Sequence, residues 1–293
     1  MKFTDITIIY NPNSTGDSER LAINLQKDLR TQLPKATVQC LPTKYAGHAR
    51  HLANDIAEAT KKPLIISSSG DGGYNEVING IIDSGNPDAV CAVLPAGNAN
   101  DHSRTMQDAP LLDLIIKGKV TQIDLLKVVV RKVGGGVTTR YAHSYIGLGL
   151  TPVVAVELNK HTLNAFREML VAIRAFYKYQ PFKIEHADTV IKLDSLLFAN
   201  INQMAKILTL APKNRPDDGK FELISFPAGH KWQLFKRLAK AAANRLDPPQ
   251  RISRYQFTAL KNMPLQLDGE VMKLPYGSQV TVASAAKALK TII

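Results

Sequence analysis

In the stretch Ser67-Ser68-Ser69-Gly70-Asp71-Gly72-Gly73-Tyr74-Asn75-Glu76-Val77-Ile78-Asn79-Gly80, a carboxylate sits among glycines where an apolar run passes into a helical pattern. Glycine lets the backbone adopt positive φ and approach a ligand closely, and a helix starting there aims its positive end at the same point. Such a turn suits phosphate, with the amides of residues 70–75 as donors. Asp71 would repel phosphates unless a cation lay between them, which argues for Mg²⁺. The same residues can also make an ordinary tight strand-to-helix turn. A second apolar run, 89–94, ends in Pro95-Ala96-Gly97-Asn98-Ala99-Asn100-Asp101, where small residues again precede an amide and a carboxylate. Asn100 and Asp101 read either as ligand contacts or as a helix cap.

Three other groups could do chemistry. Asp268-Gly269-Glu270 and Asp217-Asp218-Gly219 present carboxylates at turns, although such tripeptides are commonly plain hairpin turns. His48, His51 and Asp55 share one face of an expected helix, but two imidazoles without a firm third ligand make a weak metal site. Basic amphipathic stretches at 160–178 and 231–240 fit internal packing or a membrane surface.

The elements that must position these residues follow from periodicity. Strands are expected at 5–10, 37–41, 63–68 and 89–94, alternating with helices at 18–33, 47–60 and 74–83. That alternation predicts a parallel sheet covered on both faces, with ligands at the carboxyl ends of its strands. From about residue 123 strand follows strand: 123–133 and 137–146 about a triple-glycine turn, then 189–193, 196–200, 220–226 and 256–260. Residues 284–290 read as helix. The expected division is 1–122 as an α/β domain and 123–277 as an antiparallel domain.

A chain of 293 residues suits two domains, and 45% apolar content suits globular ones. No apolar run is long enough to span a bilayer and no signal peptide is evident, so a cytoplasmic location is expected. Cys40 and Cys91 lie in expected strands and read as buried thiols. The 37 basic against 25 acidic residues give a net charge of +12, which favours anionic partners. Aromatic residues at 6% and the absence of a recognisable module exclude nucleic acid as the expected partner.

In order along the chain, Asn11-Pro12-Asn13-Ser14-Thr15-Gly16, Thr43 to Ala49 with Gly47-His48, Ser69 to Gly80, Pro95 to Asp101, Ala211-Pro212 with Asp217-Asp218-Gly219-Lys220-Phe221-Glu222-Leu223, and Asp268-Gly269-Glu270 resemble the signatures of the diacylglycerol kinase catalytic family. That family includes bacterial lipid kinases and the sphingosine and ceramide kinases. The resemblance implies a NAD kinase/diacylglycerol kinase-like α/β domain with a parallel sheet, followed by an antiparallel β-sandwich, with the C-terminal segment 278–293 packing back on the α/β domain. It implies ATP and Mg²⁺ as cofactors and a lipid acceptor at an anionic membrane surface, approached peripherally. A homodimer is left open. Nucleotide contacts carry over to Asn11, Pro12, Asn13, Ser14, Thr43, Ser69, Gly70, Asp71, Gly72, Gly73, Tyr74, Asn75, Glu76, Gly97, Asn98, Asn100 and Asp101. Asp71 carries over as the residue positioning catalytic Mg²⁺, Glu270 as general base, presented by the close turn at Gly269, and Asp268 as a residue helping to orient the site. A second, structural Mg²⁺ carries over to Asp218 with the carbonyls of Arg215 and Lys220.

The departures are specific. Ser69 replaces the first glycine, Gly73 the threonine of the first loop and Asn98 the threonine of the second, so two hydroxyl contacts to nucleotide are expected to be missing. The reading is an ATP-dependent kinase acting on a diacylglycerol-like or sphingoid lipid; its competitor is a nucleotide-binding regulatory homologue. NAD kinases share the Gly-Asp-Gly loop but are not expected to carry the early Asn-Pro or the late Asp-Gly-Glu.

Overall fold

A computed structural model describes residues 3–14, 16–98, 100–149, 180–204, 208–209, 215–230, 236 and 249–293. Thr15, Ala99, Ala205, Ala211-Pro212, the 160–178 stretch and all of 231–240 except Lys236 lie outside the described residues. The chain divides into two compact units, Met1–Asp124 with Ala286–Ile293, and Leu125–Ala285.

Unit 1 is α/β. Its elements are β1 (Asp5–Tyr10), α1 (Ser18–Gln32), β2 (Thr37–Pro42), α2 (His48–Ala59), β3 (Leu64–Ser69), α3 (Asp71–Ser84), β4 (Val90–Pro95), α4 (Asp101–Met106) and α5 (Leu111–Lys117). The strands are parallel in the order β2-β1-β3-β4. β3 is buried along its whole length, as a strand covered on both faces must be. Ile6, Ile8, Leu64, Ile66, Val90 and Ala92 turn to one face and pack with Ala22, Leu25 and Leu29 of α1 and Leu111, Leu114 and Ile115 of α5. α2 and α3 pack closely together on the sheet. A β-carbon on Gly80 of α3 would lie 2.2 Å from the Arg50 carbonyl oxygen and 2.8 Å from Ala53 Cβ, so the last glycine of the first loop's stretch sets that close approach.

Unit 2 is antiparallel. It holds β5 (Thr121–Arg131, from Leu125 onward), β6 (Val137–Ala142), β7 (Tyr145–Gly149), β8 (Phe182–His186), β9 (Thr189–Ala199), β10 (Gln203–Met204), β11 (Leu208–Thr209), β12 (Phe221–Pro227), β13 (Gln250–Ile252), β14 (Arg254–Ala259), β15 (Met263–Leu267), β16 (Glu270–Leu274) and the first part of β17 (Gln279–Thr291). Its path runs β16-β15-β7-β9-β8-β14-β17. β9 pairs β8 through Thr189–Leu193 and then runs between β7 and β12 through Ser195–Ala199, so one strand closes the sheet around the core. Phe198 meets Phe221 edge to face at 5.8 Å and Tyr255 at 5.5 Å in that core.

The α/β unit with its parallel sheet and the antiparallel unit after it are both present. Four local expectations change. α3 begins at Asp71, three residues before the expected start, because Gly70 already supplies the acceptor for the Tyr74 N–H at 3.1 Å. The expected arm 137–146 is broken at His143-Ser144 into β6, which pairs β5, and β7, which pairs β9 and β15. The segments 189–193 and 196–200 form one strand. Residues 284–290, rich in alanine and lysine, are strand rather than helix, and Thr291 of that strand pairs in parallel with Cys91 of β4. Tertiary pairing overrides a helix propensity worth only tenths of a kcal/mol per residue.

Candidate functional site

In unit 1 the three loops that follow β1, β3 and β4 meet at the carboxyl edge of the sheet, since Tyr10 pairs with Ser68 and Ser69 with Pro95. Ser14 Oγ and the Gly16 N–H both donate to the Ala96 carbonyl, the latter at 3.1 Å, and the Ala96 N–H donates to Ser69 O at 2.9 Å. A β-carbon on Gly97 would lie 2.4 Å from Gly70 Cα, so these loops touch backbone to backbone and only glycine fits. Asn100, at φ 50, braces the loop: its Oδ1 accepts the Gly97 N–H at 2.9 Å and its Nδ2 donates to Gly97 O at 2.8 Å. In the first loop Asn11 Oδ1 accepts the Asn13 N–H at 3.0 Å, and Pro12 and Asn13 are exposed. The Thr43 N–H donates to Tyr10 O at 2.8 Å just beyond β2.

Asp71 is the first residue of α3, and its carboxylate accepts the N–H groups of Asp101 at 3.0 Å and His102 at 3.2 Å. The carboxylate therefore caps α4 while α3 fixes its backbone. Asp101 is buried and bonded to Arg104 at 2.7 Å. Glu76 does for α2 what Asp71 does for α4: its oxygens accept the N–H groups of Gly47 at 2.8 Å and Ala49 at 3.1 Å. Tyr74 is fully buried, with its hydroxyl 3.3 Å from Thr291 Oγ1 and its ring 5.1 Å from that of His102. Asn75 is buried and accepts from Asn79 Nδ2 at 3.1 Å. The side chains of Tyr74, Asn75 and Glu76 thus work inside the fold. The amides expected over 70–75 are also fewer, because the Tyr74 N–H is already bonded within the helix. A helix leaves its first-turn N–H groups without acceptors of its own, so Gly72 and Gly73 present donors at the positive end of α3.

At the end of β3, Ser69 Oγ pairs with Ser67 Oγ at 2.7 Å and donates to Gly70 O at 3.0 Å. A β-carbon on Gly73 would lie 2.6 Å from that Oγ and 2.7 Å from Ser69 Cβ. Asn98 is exposed.

In unit 2, β15 and β16 are joined by Asp268 and Gly269, both at positive φ, 46° and 96°. Asp268 is completely buried. Its carboxylate accepts N–H groups from His143 at 2.6 Å, Ser144 at 3.0 Å and Tyr145 at 2.9 Å, and His143 Nε2 lies 3.3 Å away. His143 Nδ1 is 2.7 Å from Ser144 Oγ, and Asn200 bonds the backbone of both residues, with its N–H to Ser144 O at 2.7 Å and its Nδ2 to His143 O at 3.4 Å. A left-handed conformation is costly for aspartate, and these contacts hold it. The result is a rigid turn that delivers Glu270 to an exposed position at the start of β16.

Asp218 is bonded to Arg251, and its Oδ1 accepts the Lys220 N–H at 3.1 Å. The carboxylate that the resemblance gives to a second Mg²⁺ is thus paired with a guanidinium. Arg251 Nε also lies 3.4 Å from Glu222 Oε1. Glu222 is buried, its Oε2 has no hydrogen-bond partner among the described residues, and burial pushes its pKa up to about 7 against the pull of Arg251. Burial likewise pushes the Cys91 thiol up to about 12, which makes it inert as a nucleophile at neutral pH.

Among the described residues no group of three His, Cys, Asp or Glu side chains could hold a metal ion by itself. Mg²⁺ does not need one, since it commonly binds through one or two carboxylates together with nucleotide phosphates. Asp71, a carboxylate at the start of α3 beside the Gly72 and Gly73 amides, supplies the hard oxygen donor that such a site uses.

Glycine-rich loops at the carboxyl ends of parallel strands, with a fixed carboxylate beside a helix start, are the arrangement that suits phosphate in an α/β fold. Residues 5–128 match the family described as the diacylglycerol kinase catalytic domain. A diacylglycerol kinase of Staphylococcus saprophyticus is 27% identical over 90% of this chain and 88% of its own, and one of Staphylococcus aureus (strain bovine RF122) is 25% identical over 90% and 85%. A crystal structure of a diacylglycerol kinase from Bacillus anthracis superposes with a TM-score of 0.72 at 19% identity, covering 100% of this chain and 97% of that one. Yeast NADH kinase complexed with NADH shares the fold more distantly, with a TM-score of 0.57 at 11% identity over 99% and 83%. The resemblance to that family is borne out.

Sequence reasoning missed His143, Ser144 and Asn200. The signal was present: a His-Ser pair interrupts an otherwise apolar strand pattern between Ala142 and Tyr145. The capping by Asp71 and Glu76 was not legible, because a carboxylate's partner on another helix leaves no local pattern.

Proposed function

We propose that the protein is an ATP- and Mg²⁺-dependent lipid kinase that phosphorylates a hydroxyl of a diacylglycerol-like or sphingoid lipid at an anionic membrane surface. The observation that carries this reading is the Asp71 carboxylate, held by two backbone N–H groups at the start of α3 beside the first-turn amides of Gly72 and Gly73. Phosphoryl transfer asks a protein mainly for alignment and charge stabilisation. The amides of Gly72 and Gly73 hold phosphate oxygens, and the backbone of Gly97 and Asn98 lines the same edge. Asp71 holds Mg²⁺, which supplies neutralisation of the phosphate charge. As the lipid hydroxyl oxygen bonds to the γ-phosphorus of ATP and the γ-phosphorus bond to the bridging oxygen breaks to release ADP, Glu270 takes the hydroxyl proton. Asp268 keeps the turn in the conformation that exposes Glu270.

The competing reading, a nucleotide-binding regulator without turnover, draws on Gly73 and Asn98, which lack the expected hydroxyls. Ser69 weakens it, because its side chain fills the space that a residue-73 side chain would need. The test is incubation of the full chain with a lipid extract and labelled ATP, followed by mass spectrometry. A labelled phospholipid is expected; nucleotide binding with no labelled lipid would favour the regulator.

A further inference from the structure

Among the described residues of unit 2 few large apolar side chains are exposed, and three of them lie together. Val133 is 72% exposed, Val137 62% and Tyr276 65%. Val133 and Val137 flank Gly134, Gly135 and Gly136 at the tip of the β5–β6 hairpin, where Arg131 pairs with Val137. Tyr276 lies in the turn between β16 and β17. The two turns touch, since a β-carbon on Gly277 would lie 2.5 Å from Val133 Cγ2. The Tyr276 N–H donates to Asn262 Oδ1 at 2.7 Å, which brings in the turn between β14 and β15.

The surroundings are basic. Arg131, Lys132, Lys261 and Lys273 are exposed in these segments, with Lys261 Nζ 3.3 Å from Pro181 O. Residues 131–137, 259–263 and 271–279 contain no aspartate or glutamate. Asp268 and Glu270 sit at the opposite end of the β15–β16 hairpin. A hairpin tip meant only for water would carry polar turn residues such as Asn-Gly. Valine and tyrosine ringed by lysine and arginine match the chemistry of a bilayer interface with anionic headgroups. A second copy of the chain is disfavoured, because tip-to-tip contact would set these cations against their own kind.

We propose that the paired turns at 132–137 and 275–277 are the part of unit 2 that enters an anionic lipid bilayer. Val133, Val137 and Tyr276 seat among the acyl chains and glycerol groups, while Arg131, Lys132, Lys261 and Lys273 face the headgroup phosphates. The inference deepens the lipid-kinase reading and rests on it for the purpose of the contact.

The test is co-sedimentation of the full chain with phosphatidylglycerol and with phosphatidylcholine vesicles. Each basic side chain near an anionic surface strengthens binding about fivefold. Val133→Ser with Val137→Ser, and separately Lys132→Glu with Lys273→Glu, should each weaken binding to phosphatidylglycerol at least about tenfold. Thermal unfolding midpoints should stay near wild type, and Ile23→Ser, an exposed apolar change in unit 1, should bind as wild type. Equal binding by the tip variants, failure of the wild type to bind phosphatidylglycerol, or equal binding to both lipids overturns the proposal. So does a wild-type dimer that the tip variants convert to monomer without any change in vesicle binding. Phosphorylation of a short-chain diacylglycerol and of a short-chain sphingoid base in solution is measured alongside. Absence of both with tip-dependent vesicle binding intact defeats the kinase reading and leaves the docking surface standing.

Discussion

Ser69 and Gly73 contend for one space: a β-carbon at position 73 would stand 2.7 Å from Ser69 Cβ, an atom that no rotamer change can move away. A serine at the end of β3 and a glycine in the first turn of α3 therefore form a matched pair. Gly73→Thr alone should destabilise unit 1 by about 1–3 kcal/mol through overpacking. Ser69→Gly with Gly73→Thr should recover at least about 1 kcal/mol of that loss, a coupling expected only of residues in contact. Denaturant unfolding of the two singles and the double measures it; simple additivity would show that the positions are independent.

Asp71 both caps α4 and offers its carboxylate to a cation. Asp71→Ala should lower stability by about 1–2 kcal/mol through loss of the cap. Asp71→Asn keeps one acceptor oxygen and should fold nearly as well, yet lose turnover by roughly 10²-fold or more at saturating Mg²⁺. Near-normal turnover of a folded Asp71→Asn variant would remove Asp71 from the reaction.

Glu270→Gln should leave nucleotide affinity unchanged and lower turnover by roughly 10² to 10⁴. Asp268→Ala strips an acceptor from three buried N–H groups and should lower stability by about 3 kcal/mol as well as turnover. If Glu270→Gln weakens nucleotide binding while turnover at saturation persists, the proton acceptor is a different group.

Burial raises the pKa of Glu222 to about 7 in the folded protein, above the ordinary carboxylate value. Between those two pH values the folded state holds the extra proton, so Glu222 favours folding at low pH and that contribution is lost as pH rises through 7. Glu222→Gln should therefore gain stability relative to wild type on going from about pH 4.5 to pH 8, by about 3 kcal/mol on the linkage scale. Urea midpoints across that range report it, and a difference that does not vary with pH would place Glu222 in an environment where its proton is indifferent to folding.

The α/β unit was legible because its strands are apolar runs and its helices show i, i+3, i+4 spacing, as in Ala22, Leu25 and Leu29. The loops were legible through Gly70, Gly72 and Gly97, whose lack of a side chain is itself the signal. Unit 2 was read less well. β15 and β16 were not expected from the pattern, since Pro264, Gln266 and Lys273 dilute the alternation, and β17 reads as helix by composition. Long-range partners carry those strands, and partners are invisible one residue at a time. For the same reason Glu270 was singled out only by the place of its tripeptide in the order of family motifs, and the polar His143-Ser144 pair, visible as a break in an apolar pattern, did not reveal that it braces the turn beneath Glu270 with Asn200.

β17 passes from unit 2 into unit 1, where Thr291 lies against Cys91, the Ile292 N–H donates to Cys91 O at 3.1 Å and Lys290 Nζ reaches Asp88 at 2.9 Å. A nascent chain on the ribosome thus exposes the flank of β4 until residue 291 has been translated, long after every other strand of unit 1 has emerged. An uncovered strand of that kind is a template for pairing with another chain. Arrest or proteolysis just upstream of Ala286 would leave such a flank permanently bare, and aggregation rather than a smaller folded enzyme is the expected fate.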